Sequence, residues 1–269
     1  MAQSFISLGN PKNPPLVLLH GFLGSGKSWL NIAHSFSENY FCIMPDLPGH
    51  GDNTQIDITA PLNFDILTEW LSHLLDQIPV SEIHLVGYSL GGRTALYFAC
   101  RYPKRILTLT LESASPGIVD KSERARRLAE DTARTESIMK DGMSAFVEKW
   151  YRMPLFASLS THPQKISAIK ESAKSNRPDW MAKVIRELSP GTQQPLWNSL
   201  STLSFPVLLI TGEKDEKYAH VVRKMAEHIS NCSHVIVQEA GHNVHAEQTK
   251  EYISLVQKFL QIKSSPLVE

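Results

Sequence analysis

The sequence predicts an α/β chain: a mostly parallel central sheet covered by helices on both faces, with a helical segment inserted ahead of the last strands. Three observations point there. Short, continuously apolar runs recur along the 269 residues, with helix-patterned segments between them. That rhythm stops across residues 115–200, where helical spacing takes over. One of the runs ends in a Gly-x-Ser-x-Gly turn, Gly87-Tyr88-Ser89-Leu90-Gly91, and a helical segment follows directly.

Taken in order, the runs are Pro15–Leu19, Tyr40–Met44, Ile83–Val86, Ile106–Leu111, Val207–Ile210 and His234–Val237. Continuous rather than alternating hydrophobicity is what a strand needs when both of its faces are covered, as in a parallel sheet with helices on each side. Between the fourth and fifth runs, Pro116-Gly117, Pro154, Pro163, Pro178 and Pro190-Gly191 punctuate helical patterns. This block is mildly basic, 14 Lys and Arg against 10 Asp and Glu, whereas the remainder carries 13 against 17. The expected organisation is a strand-based core of residues 1–114 and 201–269 with a helical lid over 115–200. The segment from Thr249 to Ile262 has apolar residues at helical spacing and is expected to pack on the sheet.

Bulk properties narrow the function classes. A chain of this length buries a sizeable core. Lys plus Arg and Asp plus Glu are both 27, so no global field draws in nucleic acid or an anionic membrane. Met1 to Phe5 shows neither the basic start nor the long apolar stretch of a secretory signal, and no apolar run reaches the roughly 18 residues that span a bilayer. Cys42, Cys100 and Cys232 are odd in number and sit in or beside apolar segments, which reads as reduced core thiols in a cytoplasmic protein. Without C-x-x-C or H-E-x-x-H, metal chemistry has no support. A small-molecule partner is expected, on a monomer or weak dimer.

The serine turn carries the chemistry. A serine between a strand and a helix at so tight a turn is pushed into strained backbone geometry, with its hydroxyl presented at the sheet edge. Side chains at 87 or 91 would collide with the crossing chain, which explains the glycines there. The competing reading is an ordinary glycine-rich loop. A second pattern competes for the function: Gly21-Phe22-Leu23-Gly24-Ser25-Gly26-Lys27-Ser28 satisfies the phosphate-loop spacing directly after an apolar run, with Asp46 nominally able to hold Mg²⁺. A nucleotide hydrolase would leave the serine turn unexplained, and Asp46-Leu47-Pro48-Gly49-His50-Gly51 reads more naturally as a glycine/proline turn.

An activated serine needs a base within hydrogen-bond reach, and the base needs an orienting carboxylate. Asp215 follows the run at 206–210 and His242 follows the run at 234–238, so Ser89, Asp215 and His242 form a candidate triad in the chain order Ser, Asp, His. Glu213 and His245 are nearby alternatives, read as surface or supporting residues. The backbone N–H groups of Phe22 and Leu90 are the candidate oxyanion hole. His20 is read as bonding its own loop, and Tyr88 as either a pocket wall or a hydroxyl donor.

His20-Gly21-Phe22, Asp46 to Gly51, Gly87 to Gly92 and Gly241-His242 together resemble the α/β-hydrolase superfamily over nearly the whole chain. Gly87 to Arg93, Glu112-Ser113-Ala114-Ser115-Pro116-Gly117, Trp150-Tyr151 with Pro154-Leu155-Phe156, and Ala240 to His245 further resemble one menaquinone-pathway family, the 2-succinyl-6-hydroxy-2,4-cyclohexadiene-1-carboxylate synthases. The resemblance implies a lyase on a hydrolase fold, needing no cofactor, that eliminates pyruvate from a cyclohexene bearing an enolpyruvyl ether. Its substrate carries three carboxylates, so several cations should face the pocket. Arg93, one helical turn after Ser89, is placed there by the resemblance, or else makes a buried structural ion pair. Arg124, Arg126 and Arg127 cluster in the lid; the resemblance favours Arg127 as the carboxylate ligand and Arg124 after it, against a plain solvated basic face. Trp150 is either pocket wall or core. Where the family places a third lid arginine, this chain reads Ala173-Lys174-Ser175-Asn176-Arg177, leaving Lys174 or Arg177 to fill the role.

Overall fold

The computed structural model describes residues 5–261. Met1 to Ser4 of the signal reading and Ile262 of the expected final helix lie outside the described residues. Seven strands, β1 (Phe5–Leu8), β2 (Pro15–Leu19), β3 (Phe41–Pro45), β4 (Ile83–Tyr88), β5 (Ile106–Glu112), β6 (Val207–Gly212) and β7 (Cys232–Val237), form one sheet in the order β1-β3-β2-β4-β5-β6-β7. Every pairing is parallel except β1 on β3. The strand β1 was not expected: its four residues include Ser7 and are only partly buried, so no continuous apolar run marks it.

The apolar runs are buried on both faces, as their continuity requires. Along β2, Val17 and Leu19 join the cluster on one side of the sheet, while Leu16 and Leu18 join the cluster on the other. Helices α1 (Leu30–His34), α2 (Phe64–Asp76) and α3 (Leu90–Arg101) precede the insertion. Asn63 caps α2, its side chain accepting from Ile66 N–H at 2.9 Å. Leu67, Leu71, Leu74 and Leu75 of α2 pack with Ala95, Phe98 and Ala99 of α3 against the first face.

Between β5 and β6 lie α4 (Lys121–Trp150), α5 (Pro163–Lys174) and α6 (Pro178–Glu187). Asp120 caps α4 by accepting from Glu123 N–H at 2.7 Å. Gly142, at φ 78°, interrupts that long helix and lets its second half bend back over the sheet. After β6, α7 (Glu216–His228), the single turn α8 (Val244–Glu247) and α9 (Thr249–Gln261) complete the chain. Ile32 and Ala33 of α1 and Tyr252, Val256 and Leu260 of α9 cover the second face. The C-terminal ends of β2, β4, β5, β6 and β7 point to one rim, and the inserted helices lie over it.

Candidate active site

At that rim Ser89 joins β4 to α3 with φ 51° and ψ −107°, a conformation that costs energy for a residue with a Cβ. The turn is possible because the chain passes so close: a Cβ on Gly91 would lie 2.3 Å from the carbonyl oxygen of Leu19 and 2.5 Å from that of His20. The strain is held by the sheet, since Ser89 N–H donates to the Glu112 carbonyl on β5 at 2.9 Å.

The three candidate residues of the triad meet. Ser89 Oγ lies 3.1 Å from Nε2 of His242, and Nδ1 of His242 lies 2.6 Å from Oδ2 of Asp215. His242 and Asp215 are both buried. Asp215 closes β6 and caps α7, so its other oxygen accepts from Tyr218 N–H at 3.3 Å. One carboxylate thus starts a helix and orients the base, which fixes its rotamer twice over.

Phe22 and Leu90 line the same cavity as Ser89. Leu90 is the first residue of α3, so its amide has no helical carbonyl to bond and is left for a ligand. His20 accepts from Leu47 N–H through Nε2 at 3.0 Å, which leaves Nδ1–H to donate to the Gly21 carbonyl at 2.8 Å. Burial pulls its imidazole down to about 4, keeping it neutral.

The cavity above Ser89 has a volume of about 570 Å³. Among the described residues, its charged lining is Lys27, Arg93, Arg127 and Lys165 against a single carboxylate, Asp131. Arg93 reaches in from α3; its Nη1 donates to the Leu188 carbonyl at 2.9 Å and to Gln193 Oε1 at 3.1 Å. These partners are neutral, so the structure shows no ion pair here, and burial pulls the guanidinium down to about 10. An anion entering the cavity would meet a dry, largely uncompensated cation. Arg127 enters from α4 with Nε 2.8 Å from Asp131 Oδ2. Trp150 lines the cavity and also packs on Phe22, Phe146 and Phe156, so it is wall and core at once. Tyr88 lies between the rings of His242 and His245, at 5.5 and 4.9 Å. Its phenol is raised well above its ordinary value by burial, then by the field of Glu112.

Other expectations are corrected. Arg124 does not line the cavity; its Nε turns to the Gly191 carbonyl at 3.3 Å, where the loop after α6 docks on α4. Lys174 faces outward and pairs with Glu171 at 2.8 Å and Glu148 at 3.2 Å. Arg177 is tied to Asp179 at 2.5 Å and is half-exposed, so neither supplies a third cation from that turn. Arg126 is exposed, as is Glu213, whose carboxylate accepts from Glu239 N–H. The phosphate-loop pattern folds otherwise than a nucleotide site needs. Gly24 N–H closes onto the Gly21 carbonyl at 3.0 Å, and Asp46 accepts from Gly26 N–H at 2.7 Å and Asp52 N–H at 2.9 Å, binding two loops together. Among the described residues no group of three or more His, Cys, Asp or Glu could hold a metal ion, and no helix is long and apolar enough to cross a membrane.

Sequence reading missed Lys165, Asp131 and Tyr218. Tyr218 had a signal: three residues after the acid, at the start of a helix, it must lie beside the base, and its ring is 4.8 Å from that of His242. Lys165 and Asp131 had none, because only the docking of α4 and α5 brings them to the rim.

The family model for the alpha/beta hydrolase fold matches residues 14–249. The 2-succinyl-6-hydroxy-2,4-cyclohexadiene-1-carboxylate synthase of Serratia proteamaculans is 31% identical over 261 residues, covering 97% of this chain and 98% of that one. The solved structure of MenH from S. aureus superposes with a TM-score of 0.93 at 34% identity, covering 98% of this chain and all of the other. The chloroplastic protein PHYLLO of Arabidopsis thaliana is 31% identical over 265 residues, but the chain spans only 16% of its length.

Proposed function

Because the chain belongs to the 2-succinyl-6-hydroxy-2,4-cyclohexadiene-1-carboxylate synthase family of alpha/beta hydrolases, we propose that it eliminates pyruvate from 2-succinyl-5-enolpyruvyl-6-hydroxy-3-cyclohexene-1-carboxylate in quinone biosynthesis. The observation that carries this reading is the pairing of a hydrogen-bonded Ser89–His242–Asp215 chain with a cavity lined by four cations and one carboxylate. A simple ester has no use for that charge; a tricarboxylate does.

His242, held by Asp215, takes the Ser89 proton, and the serine oxygen removes a ring proton from the substrate. Electrons from that C–H bond move onto the succinyl ketone oxygen, which the Phe22 and Leu90 amides receive. Collapse of the enolate breaks the ether C–O bond and releases the enol of pyruvate. Arg93 and Arg127 hold carboxylates, Tyr88 and Trp150 bound the ring, and residues 115–200 act as the lid that keeps water out. No cofactor enters these steps.

The test is pyruvate release from this substrate, with a p-nitrophenyl ester as control. Wild type should release pyruvate and Ser89→Ala should lose at least a thousandfold in kcat, on the order found for removing a triad member. Wild-type-like release by Ser89→Ala would refute the assignment.

A further inference from the structure

Two carboxylates lie buried under the site and take no part in the elimination. Glu247 accepts from Gly241 N–H at 3.0 Å and Asn243 N–H at 3.3 Å, the amides on either side of His242. Glu112 has no exposed surface and accepts from His245, through the backbone N–H at 3.0 Å and through Nδ1–H at 2.8 Å. The carbonyl of the same Glu112 receives the amide of Ser89 at 2.9 Å. Glu112 therefore touches the serine's turn with its backbone and the histidine's loop with its side chain. His245 is itself locked, stacked on Trp29 at 4.4 Å and set edge-on to Tyr88.

We infer that Glu112 and His245 are positioning residues, a buried pair that couples the Ser89 turn to the His242 loop and fixes the separation of the two reacting groups. The inference rests on the reading of Ser89 and His242 as those groups. Without the pair, β4–α3 and the loop after β7 would be joined mainly through the 3.1 Å contact they exist to make. A carboxylate suits the role because every partner it meets is an N–H donor, so no alternative arrangement satisfies it equally.

The experiment compares Glu112→Ala and His245→Ala with the conservative Glu112→Gln and His245→Asn. Gln can accept from the His245 amide and donate to the other imidazole tautomer, and Asn can replace Nδ1–H as donor. Two readouts are taken per folded protein: kcat and KM for pyruvate release, and the low-field proton resonance of the His242 Nδ1–H. The alanine variants should lose about a hundredfold in kcat, the scale of a roughly 1 Å misplacement. Their KM should stay within about threefold, since no carboxylate ligand is touched. The low-field resonance should broaden or move upfield in both, and the conservative variants should recover most of each signal. Should Glu112→Ala not fold, His245→Ala and Glu112→Gln give the same comparison. A lowered melting temperature with unchanged kcat and an unchanged resonance would show a purely structural role and overturn the inference. If the resonance responds as expected in a wild type that releases no pyruvate, the lyase reading fails and the positioning role stands.

Discussion

Asp131 accepts from Arg127 Nε at 2.8 Å, one turn earlier on the same helix, while its other oxygen takes Arg134 Nη1 at 2.5 Å. The carboxylate is fully buried, and Ser189 Oγ–H, from the loop after α6, also donates to it at 2.6 Å. This single group sets the direction of the cation that α4 offers to the cavity and ties that helix to the loop beside it. Asp131→Asn keeps the shape but leaves two arginines without their counter-charge. Breaking a buried pair in this way costs about 3 kcal/mol or more, which urea unfolding would measure. Because Arg127 also loses its orientation, KM for the carboxylate substrate should rise with the drop in stability.

Arg93 tests the electrostatic side of the site. Its Nη1 rests on the Leu188 carbonyl and the Gln193 amide oxygen, and Phe64 lies 5.2 Å beneath the guanidinium. A substrate carboxylate therefore meets a cation that is already dry and aimed. Arg93→Ala should cost about 1.5–3 kcal/mol in transition-state binding, the worth of charge-assisted hydrogen bonds, or roughly ten- to a hundredfold in kcat/KM. Arg93→Lys should recover little, since an ammonium cannot present a planar fork. Steady-state kinetics of both variants checks the order.

The triad was legible in the sequence because its signal is local. A strand, a glycine-flanked serine and a helix are contiguous, and Asp215 and His242 each follow a strand of their own. Cations on the inserted helices were less legible. Arg124 and Arg127 are one turn apart, and what separates them is the Gly191 carbonyl, which takes Arg124, and Asp131, which takes Arg127. Neither partner is fixed until α6 and its following loop dock on α4. Lys165 shows the same limit: it lines the cavity because α5 lies against the base loop, where its Nζ donates to the Ala246 carbonyl at 2.6 Å. The Glu112–His245 pair spans 133 residues and has no spacing rule to reveal it.

A pH dependence of stability follows from His84, which is buried on β4 against Thr108 Oγ1 at 2.8 Å. Burial holds its imidazole at about 4, against 6.5 for the free side chain. Above pH 6.5 the ring is neutral in both states and contributes no pH dependence. Below that, the unfolded chain binds a proton that the folded chain refuses, so stability falls with pH and is lower by about 3 kcal/mol at pH 4. At pH 5 the loss is about 2 kcal/mol. Urea titrations of wild type and His84→Gln should therefore converge by about that amount between pH 7 and pH 5. A difference that stays constant would show that His84 does not titrate as its burial requires.

The geometry of the serine turn predicts an asymmetry between its glycines and the surrounding surface. Gly91→Ala puts a Cβ 2.3 Å from the Leu19 carbonyl oxygen, a backbone atom of a central strand that cannot yield. The cost of such overpacking is about 1–3 kcal/mol, and the shift it forces falls on the very loops that carry Phe22 and Ser89. Activity should drop further than stability, a contrast that melting curves and kcat measured on one preparation would expose.

Lys174 and Arg177 supply the opposite expectation. Both stand where a third lid arginine was anticipated, and both are spent elsewhere: Lys174 on Glu148 and Glu171, Arg177 on Asp179. These are solvent-facing pairs, of the kind that contributes little to stability. Lys174→Met and Arg177→Met should therefore leave KM for the tricarboxylate within about twofold of wild type, whereas Arg127→Met should raise it at least tenfold, the scale of one lost charge-assisted contact. Salt sharpens the comparison. Surface pairs are screened within a Debye length of about 8 Å at 0.15 M, so added salt would erase any small effect of Lys174→Met while leaving that of Arg127→Met in place. A KM that rose as far in Lys174→Met as in Arg127→Met would mean that the turn at 174–177 folds inward when substrate binds.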